Sequence, residues 1–160
     1  MRRADREITD FSEIVAIMKK CDVCRIALHD GEFPYIVPLN FGIELNGKEI
    51  LLYFHGALEG KKYDLMRKNN KVAFEMDCSH RLVTEMDTKN CTMEYESVMG
   101  SGCMEFVEEE DKYRALCILM EHYPVRKDFW FNEAVIPATN VFRLRVGTLT
   151  AKRRMVKQNR

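Results

Sequence analysis

Residues 43–66 read I-E-L-N-G-K-E-I-L-L-Y-F-H-G-A-L-E-G-K-K-Y-D-L-M. Asn46-Gly47 is the strongest short-range signal for a two-residue hairpin, because both residues tolerate the positive φ such turns require. It predicts that the strand over residues 49–54 doubles back antiparallel to the one before it. The strand ends at His55, a glycine-punctuated turn follows, and Lys61 and Lys62 open a short helix over residues 61–68. The first turn of that helix offers unpaired backbone N–H groups and the positive dipole end, and two ammonium groups add charge. This arrangement suits a phosphate, with His55 beside whatever the phosphate carries. The plain alternative is a solvated lysine pair and a turn histidine.

Upstream, Asp10 followed by Glu13 resembles a capping box, and Phe11, Ile14, Val15, Ile17 and Met18 recur at helical spacing. A helix over about residues 11–20 follows. Residues 23–29 alternate as a strand up to the turn signal Asp30-Gly31, and residues 35–43 form a second strand interrupted only by Pro38. With residues 49–54 these make an antiparallel meander.

Downstream, residues 72–76 form a fourth strand, the polar stretch 79–92 reads as a loop, and residues 95–107 form a long fifth strand. Gly100, Ser101 and Gly102 in its middle mark a bulge, a barrel corner or a close backbone approach. Tyr113, Leu116, Cys117, Met120 and Tyr123 pattern an amphipathic helix over about residues 109–123, which Pro124 ends. A sixth strand over residues 140–146 precedes a basic tail. The pattern predicts a mainly β domain spanning residues 1–160, a six-stranded antiparallel barrel with peripheral helices. A doubly wound nucleotide-binding fold is excluded by the element order and by the lack of a glycine-rich fingerprint or Walker loop.

At 160 residues one domain buries about two-thirds of its unfolded surface, enough for a core without staples. Lys plus Arg and Asp plus Glu are 25 each, so nothing in the charge balance draws the chain to nucleic acid or an anionic membrane. The apolar runs are too short to span a bilayer and the N-terminus is charged, which predicts a cytoplasmic protein. Six scattered cysteines fit reduced thiols.

Four motifs in this order make the chain recognisable: D-R-E-I at residues 5–8, P-Y-I-V-P-L-N-F at 34–41, Y-F-H-G-A-L-E-G-K-K at 53–62 and Y-E-S-V-M-G-S-G at 95–102. The sequence resembles the FMN-binding split-barrel superfamily of pyridoxamine 5′-phosphate oxidase-like proteins, nitroimidazole-resistance-type branch. The resemblance implies a homodimer of six-stranded split barrels with FMN in clefts at the subunit interface. It implies that Val37, Pro38, Leu39 and Asn40 lay their backbone along the flavin ring and that Lys61 and Lys62 meet its phosphate. Ser97 and Val98 approach from the neighbouring strand, Tyr95 borders the same cleft, and His55 faces it as the catalytic candidate. The implied activity is an FMN-dependent oxidoreductase passing electrons from a donor such as NAD(P)H to a small acceptor. The alternatives are a non-catalytic flavin sensor or carrier and a haem-handling split barrel, with His29, His55, His80 and His122 available as ligands. The arginine- and histidine-containing C-terminal substrate segment of true pyridoxamine phosphate oxidases is not found after Phe142, which argues against vitamin B6 oxidation.

Other candidates have plainer readings. Cys21-x-x-Cys24 runs into a strand without a second pair and reads as structural thiols, and Cys78-Ser79-His80 with Cys91 is too irregular for a metal, so none is assigned. Trp130 with Phe129 and Phe131 reads as interface or core. Lys152, Arg153, Arg154, Lys157 and Arg160 read as a solvated tail whose first residues could serve a flavin phosphate.

Overall fold

The computed structural model describes residues 3–124 and 131–156. Asp10 accepts a hydrogen bond from the Glu13 backbone N–H at 2.9 Å, capping helix α1 (Phe11–Met18) as the sequence predicts. Helices α2 (Lys61–Lys68) and α3 (Lys112–Glu121) also form where expected, the latter after a 3-10 turn over Glu109–Asp111. The described residues form one antiparallel sheet of eight strands: β1 (Glu7–Ile8), β2 (Cys24–Leu28), β3 (Tyr35–Leu39), β4 (Gly42–Asn46), β5 (Glu49–Gly56), β6 (Lys71–Glu85), β7 (Asn90–Phe106) and β8 (Asn140–Arg154). Neighbours run β3-β2-β6-β7-β8-β5-β4, with β1 added to β8. Val37 and Leu39 of β3 and Ile43 of β4 pack on the same core although their strands end opposite sides of this path. The sheet therefore curls into a split barrel, and α1 inserts Ile14, Ile17 and Met18 against Ile26, Leu52, Phe54, Val98 and Phe142 inside it.

Three strand expectations change. The strand expected over residues 35–43 breaks at Asn40 and Phe41, so β3 pairs with β2 while β4 pairs with β5, and the three-strand meander is not continuous. The cause is non-local: Phe41 is buried, and its N–H donates to the Tyr123 hydroxyl at 2.9 Å instead of to a strand. Pro38 is tolerated because β3 is an edge. The stretch 79–92 is not a loop but the distal part of the β6–β7 hairpin, and its alternation is hidden by a bulge where Ser79 takes φ 59°. The last strand runs to Arg154, so Lys152, Arg153 and Arg154 belong to the sheet rather than to a tail. Trp130, Phe129, Lys157 and Arg160 lie outside the described residues.

The local turn signals hold with small shifts. The β4–β5 hairpin closes through Gly47 and Lys48, with Asn46 the last paired residue and Gly47 at φ 63°. The glycine-rich part of β7 is a place of close approach. A Cβ at Gly100 would stand 2.2 Å from the Thr148 carbonyl oxygen, and the register shift beside Gly102 leaves Gly147 of β8 as the extra residue.

Two carboxylates of β7, Glu94 and Glu96, are buried in this framework. Glu96 of β7 is only 3% exposed and accepts hydrogen bonds from Lys20 at 2.6 Å, Arg153 at 2.6 Å and Ser79 at 2.8 Å. Burial alone pushes its carboxyl up, but these three donors overcome burial and hold it at about 2. The folded value lies below the unfolded one, so this stabilisation is complete above about pH 4.5 and is lost as pH falls toward about 2. Glu96→Gln is expected to cost about 1–3 kcal/mol at neutral pH, because Lys20 and Arg153 can rehydrate. Urea titrations between pH 2 and 7 check this: the variant's stability should fall less steeply with acid, and parallel curves would remove Glu96 from the account.

Candidate functional site at the start of α2

Strand β5 explains where the predicted residues meet. Its even positions Ile50, Leu52 and Phe54 face the barrel core, while Leu51 and Tyr53 face outward under α3 with Ala115, Leu116 and Val141. His55 continues the outward set. It lines an apolar cavity of about 190 Å³ with Leu116, Leu119, Met120, Phe131 and Ile136, and keeps one side open to solvent. Burial lowers the imidazole's pKa first and the Lys62 ammonium lowers it further, so His55 is neutral at pH 7.

Beyond β5 the chain turns, and Asn140 pins that turn by donating to the Leu58 carbonyl at 2.9 Å. Gly60 at φ 148° begins α2 with no side-chain cap. Tyr63 donates its N–H to the Gly60 carbonyl at 2.9 Å, leaving the N–H groups of Lys61 and Lys62 at the free helix start. Lys61 reaches Asp30 of the β2–β3 turn at 2.5 Å and lies 5.1 Å from the Tyr35 ring centre, which ties the helix start to the beginning of β3. Lys62 has no carboxylate partner among the described residues and lies 4.3 Å from the centre of the Tyr63 ring.

Tyr63 is fully buried, yet its hydroxyl has no hydrogen-bond partner among the described residues. A Cβ at Gly56 would stand 2.5 Å from this hydroxyl and 3.2 Å from the Lys62 ammonium. A free cation, an orphaned hydroxyl and a glycine that leaves room for both make a site fit for an anionic group. Among the described residues the outer edge of β3 is likewise unpaired, so part of the backbone of Val37 and Leu39, and of Asn40 just beyond the strand, is open to a ligand.

Geometry thus gathers His55, Lys61, Lys62 and β3. It does not bring Tyr95, Ser97 and Val98 to the same place in one chain. Strands β2 and β6 stand between β3 and β7, and the Val98 side chain is buried in the core. Ser101 shares a sheet row with Ala27 near the Asp30 end, and Tyr95 lies six residues farther along β7, about 20 Å away at strand spacing. Sequence reasoning also missed Asp30 and the cavity formed with α3, since both depend on contacts across the fold.

Comparison with known proteins settles the relationship. A family model described as pyridoxamine 5′-phosphate oxidase matches residues 10–153. The chain belongs to the pyridoxamine 5′-phosphate oxidase family. It is similar, at 32% identity and a TM-score of 0.78, to the solved structure of a candidate 5-nitroimidazole antibiotic resistance protein from Bacteroides thetaiotaomicron, covering 91% of this chain and 85% of that one. This places it with the nitroimidazole-resistance-type members of the family. A flavocytochrome of Azotobacter vinelandii (19% identity, TM-score 0.75, covering 99% of this chain and 75% of that one) shares the fold. So does an FAD- and haem-binding protein of Mycobacterium smegmatis (17% identity, TM-score 0.76, covering 92% and 73%). A search of curated protein sequences finds no match.

Within this family fold the remaining candidates take ordinary places. Cys21 and Cys24 are buried free thiols, and burial raises both pKa values, which makes them poor nucleophiles. His80 sits 2.7 Å from Asp77, and His122 bonds the Cys21 carbonyl at 2.8 Å. Among the described residues no three His, Cys, Asp or Glu side chains are grouped to hold a metal, and no helix is long and apolar enough to cross a membrane.

Proposed function

We propose that this flavin-binding-type split barrel is an FMN-dependent oxidoreductase that passes electrons from a reduced nicotinamide, NAD(P)H, to a small acceptor. The observation that carries this reading is the anionic-group site at the start of α2, with its free Lys62 and orphaned Tyr63 hydroxyl, placed beside a free strand edge and a neutral histidine. Lys61, Lys62 and the free N–H groups of α2 hold the phosphate. The edge of β3 at Val37, Pro38, Leu39 and Asn40 offers backbone groups to the flavin ring. FMN, when bound, supplies the two-electron chemistry.

His55 orients the acceptor or transfers a proton to it, and the apolar walls from α3 exclude water from that side. Tyr95 and Ser97, with the backbone of Val98, whose side chain stays in its own core, complete the cleft from a second subunit, since one chain keeps them remote. The enzyme is accordingly a homodimer.

The first test is the visible spectrum of the purified protein, with the released chromophore identified by mass. FMN bands support the reading; a colourless protein that takes up no added FMN overturns it. His55→Ala should keep its FMN content and lose about 10²-fold or more in turnover with NAD(P)H and a nitroaromatic acceptor. Unchanged turnover removes the catalytic role.

The imidazole gives a second readout. Its folded pKa lies below the ordinary 6.5, so acid protonates the unfolded chain first and acidification below about 6.5 disfavours the fold. An NMR titration should find His55 below 6.5 in the native protein and higher in Lys62→Gln, whose neutral amide removes the repulsion. Identical curves for the two proteins would show that Lys62 does not reach the ring.

A further inference from the structure

Eight of the ten described arginines meet a carboxylate: Arg3, Arg25, Arg67, Arg81, Arg114, Arg143, Arg145 and Arg153. Arg6 and Arg154 do not, and these two converge. Arg154 of β8 is the direct register partner of Tyr95 on β7, and Arg6, just before β1, donates to the Tyr95 hydroxyl at 3.5 Å. Each guanidinium has its Nε–H buried without a hydrogen-bond partner among the described residues. A buried charged donor left unpaired is costly, and two beside one phenol are unlike the other described arginines.

The next rung continues the pattern, because Lys152 is the register partner of Ser97. Several carboxylates lie around this cluster. Asp5 pairs with Arg3 and interacts with Arg6 through charge alone, and Glu85 shares a pocket with Arg154 and accepts from Thr88. Asp77 is held by Arg25 and His80, and Glu7, opposite Lys152, is exposed. None of them makes an ion pair with Arg6 or Arg154 among the described residues.

We infer that Arg6, Tyr95 and Arg154 form an oxyanion site, with Lys152 and Ser97 at its rim, that binds a phosphate or carboxylate group of a small molecule. Guanidinium N–H groups and a phenol O–H are all donors to such a group, and none of them needs to change ionisation to bind it. Within one chain the site is distinct from the lysine site at α2, since Tyr95 lies about 20 Å along β7 from Ser101, which shares a row with Ala27 of β2. The oxyanion comes either from a flavin phosphate presented by a second copy of the chain or from a separate anionic molecule.

The test titrates the full-length protein with inorganic phosphate at constant ionic strength, following the arginine Nε–H signals by NMR and the binding by calorimetry. Phosphate should shift the Arg6 and Arg154 signals saturably. The double variant Arg6→Gln/Arg154→Gln should lose about tenfold or more of that affinity, and Lys61→Ala/Lys62→Ala should leave those signals responsive. Tyr95→Phe, which keeps both charges, should weaken binding less. Unmoved Nε–H signals, or phosphate affinity that only the lysine variant reduces, overturns the site. If the arginine variant also loses preference for FMN over riboflavin, the oxyanion is the flavin phosphate; if the preference is kept while phosphate affinity falls, it belongs to another molecule. Either outcome supports the site, and neither depends on turnover.

Discussion

Lys61→Ala/Lys62→Ala will bind FMN about a hundredfold more weakly than the native protein, while its affinity for riboflavin changes by less than about threefold. The two flavins differ in the phosphate alone, so the ratio of their losses isolates the charge at α2. Charge-assisted hydrogen bonds contribute about 1.5–3 kcal/mol each, and two of them give the hundredfold figure with room for a discount. The discount is needed because Lys61 already meets Asp30 at 2.5 Å and must leave it or share it. Lys62 has no such partner among the described residues, so Lys62→Ala should cost more than Lys61→Ala. Asp30→Asn should strengthen FMN binding slightly, and raised salt should narrow every difference. Fluorescence titrations with both flavins check these points. Equal losses for FMN and riboflavin would place the phosphate elsewhere.

The lysine and histidine parts of that candidate site were readable from sequence because they are local, whereas Asp30, the Tyr63 hydroxyl and the cavity under α3 were not. Gly60, Lys61 and Lys62 adjoin each other, and His55 is six residues before Lys61 at the end of a strand whose alternation is strong. The same holds for the Asp10 cap, the hairpin at Gly47 and the close approach at Gly100. What escaped the sequence is non-local. The break at Asn40 and Phe41 is made by Tyr123, more than eighty residues later, through a backbone N–H that no pattern of side chains reveals. The β6–β7 arm escaped for a different reason. One extra residue at Ser79–His80, where two residues of β6 face Tyr95 alone, shifts its period, and beyond it the inward-facing position on β7 is Glu94, bonded to Arg81 at 2.6 Å, instead of an apolar residue. Alternation of hydrophobicity reports strands that cover an apolar core, and a strand that buries ion pairs gives no such signal. Arg153 and Arg154 show the same limit. Adjacent in sequence and both read as tail, they point to opposite faces of β8: one neutralises Glu96 and the other stands beside Tyr95.

The separation of Tyr95 and Ser97 from the lysine site makes the second large prediction. Their strand's outer face carries two rows across the sheet, Ile36-Ala27-Ala73-Ser101-Thr148 and Pro38-Arg25-Glu75-Met99-Thr150. Ile36 is 59% and Met99 47% exposed, and apart from the Arg25–Glu75 pair the rows hold small or apolar side chains. A sheet face of this kind is a natural contact for a second copy, and a two-fold arrangement would bring Tyr95 of one subunit toward the α2 start of the other. Ile36→Glu/Met99→Glu places like charges at such an interface without touching the core or α2. The variant should sediment as a monomer, keep its far-UV spectrum, and bind FMN at least about tenfold more weakly, because cofactor affinity is linked to assembly. Sedimentation and flavin titration on the same sample decide the matter. A monomer that holds FMN as tightly as the native protein would show that one chain completes the cleft alone, and Tyr95, Ser97 and Val98 would then leave the flavin site.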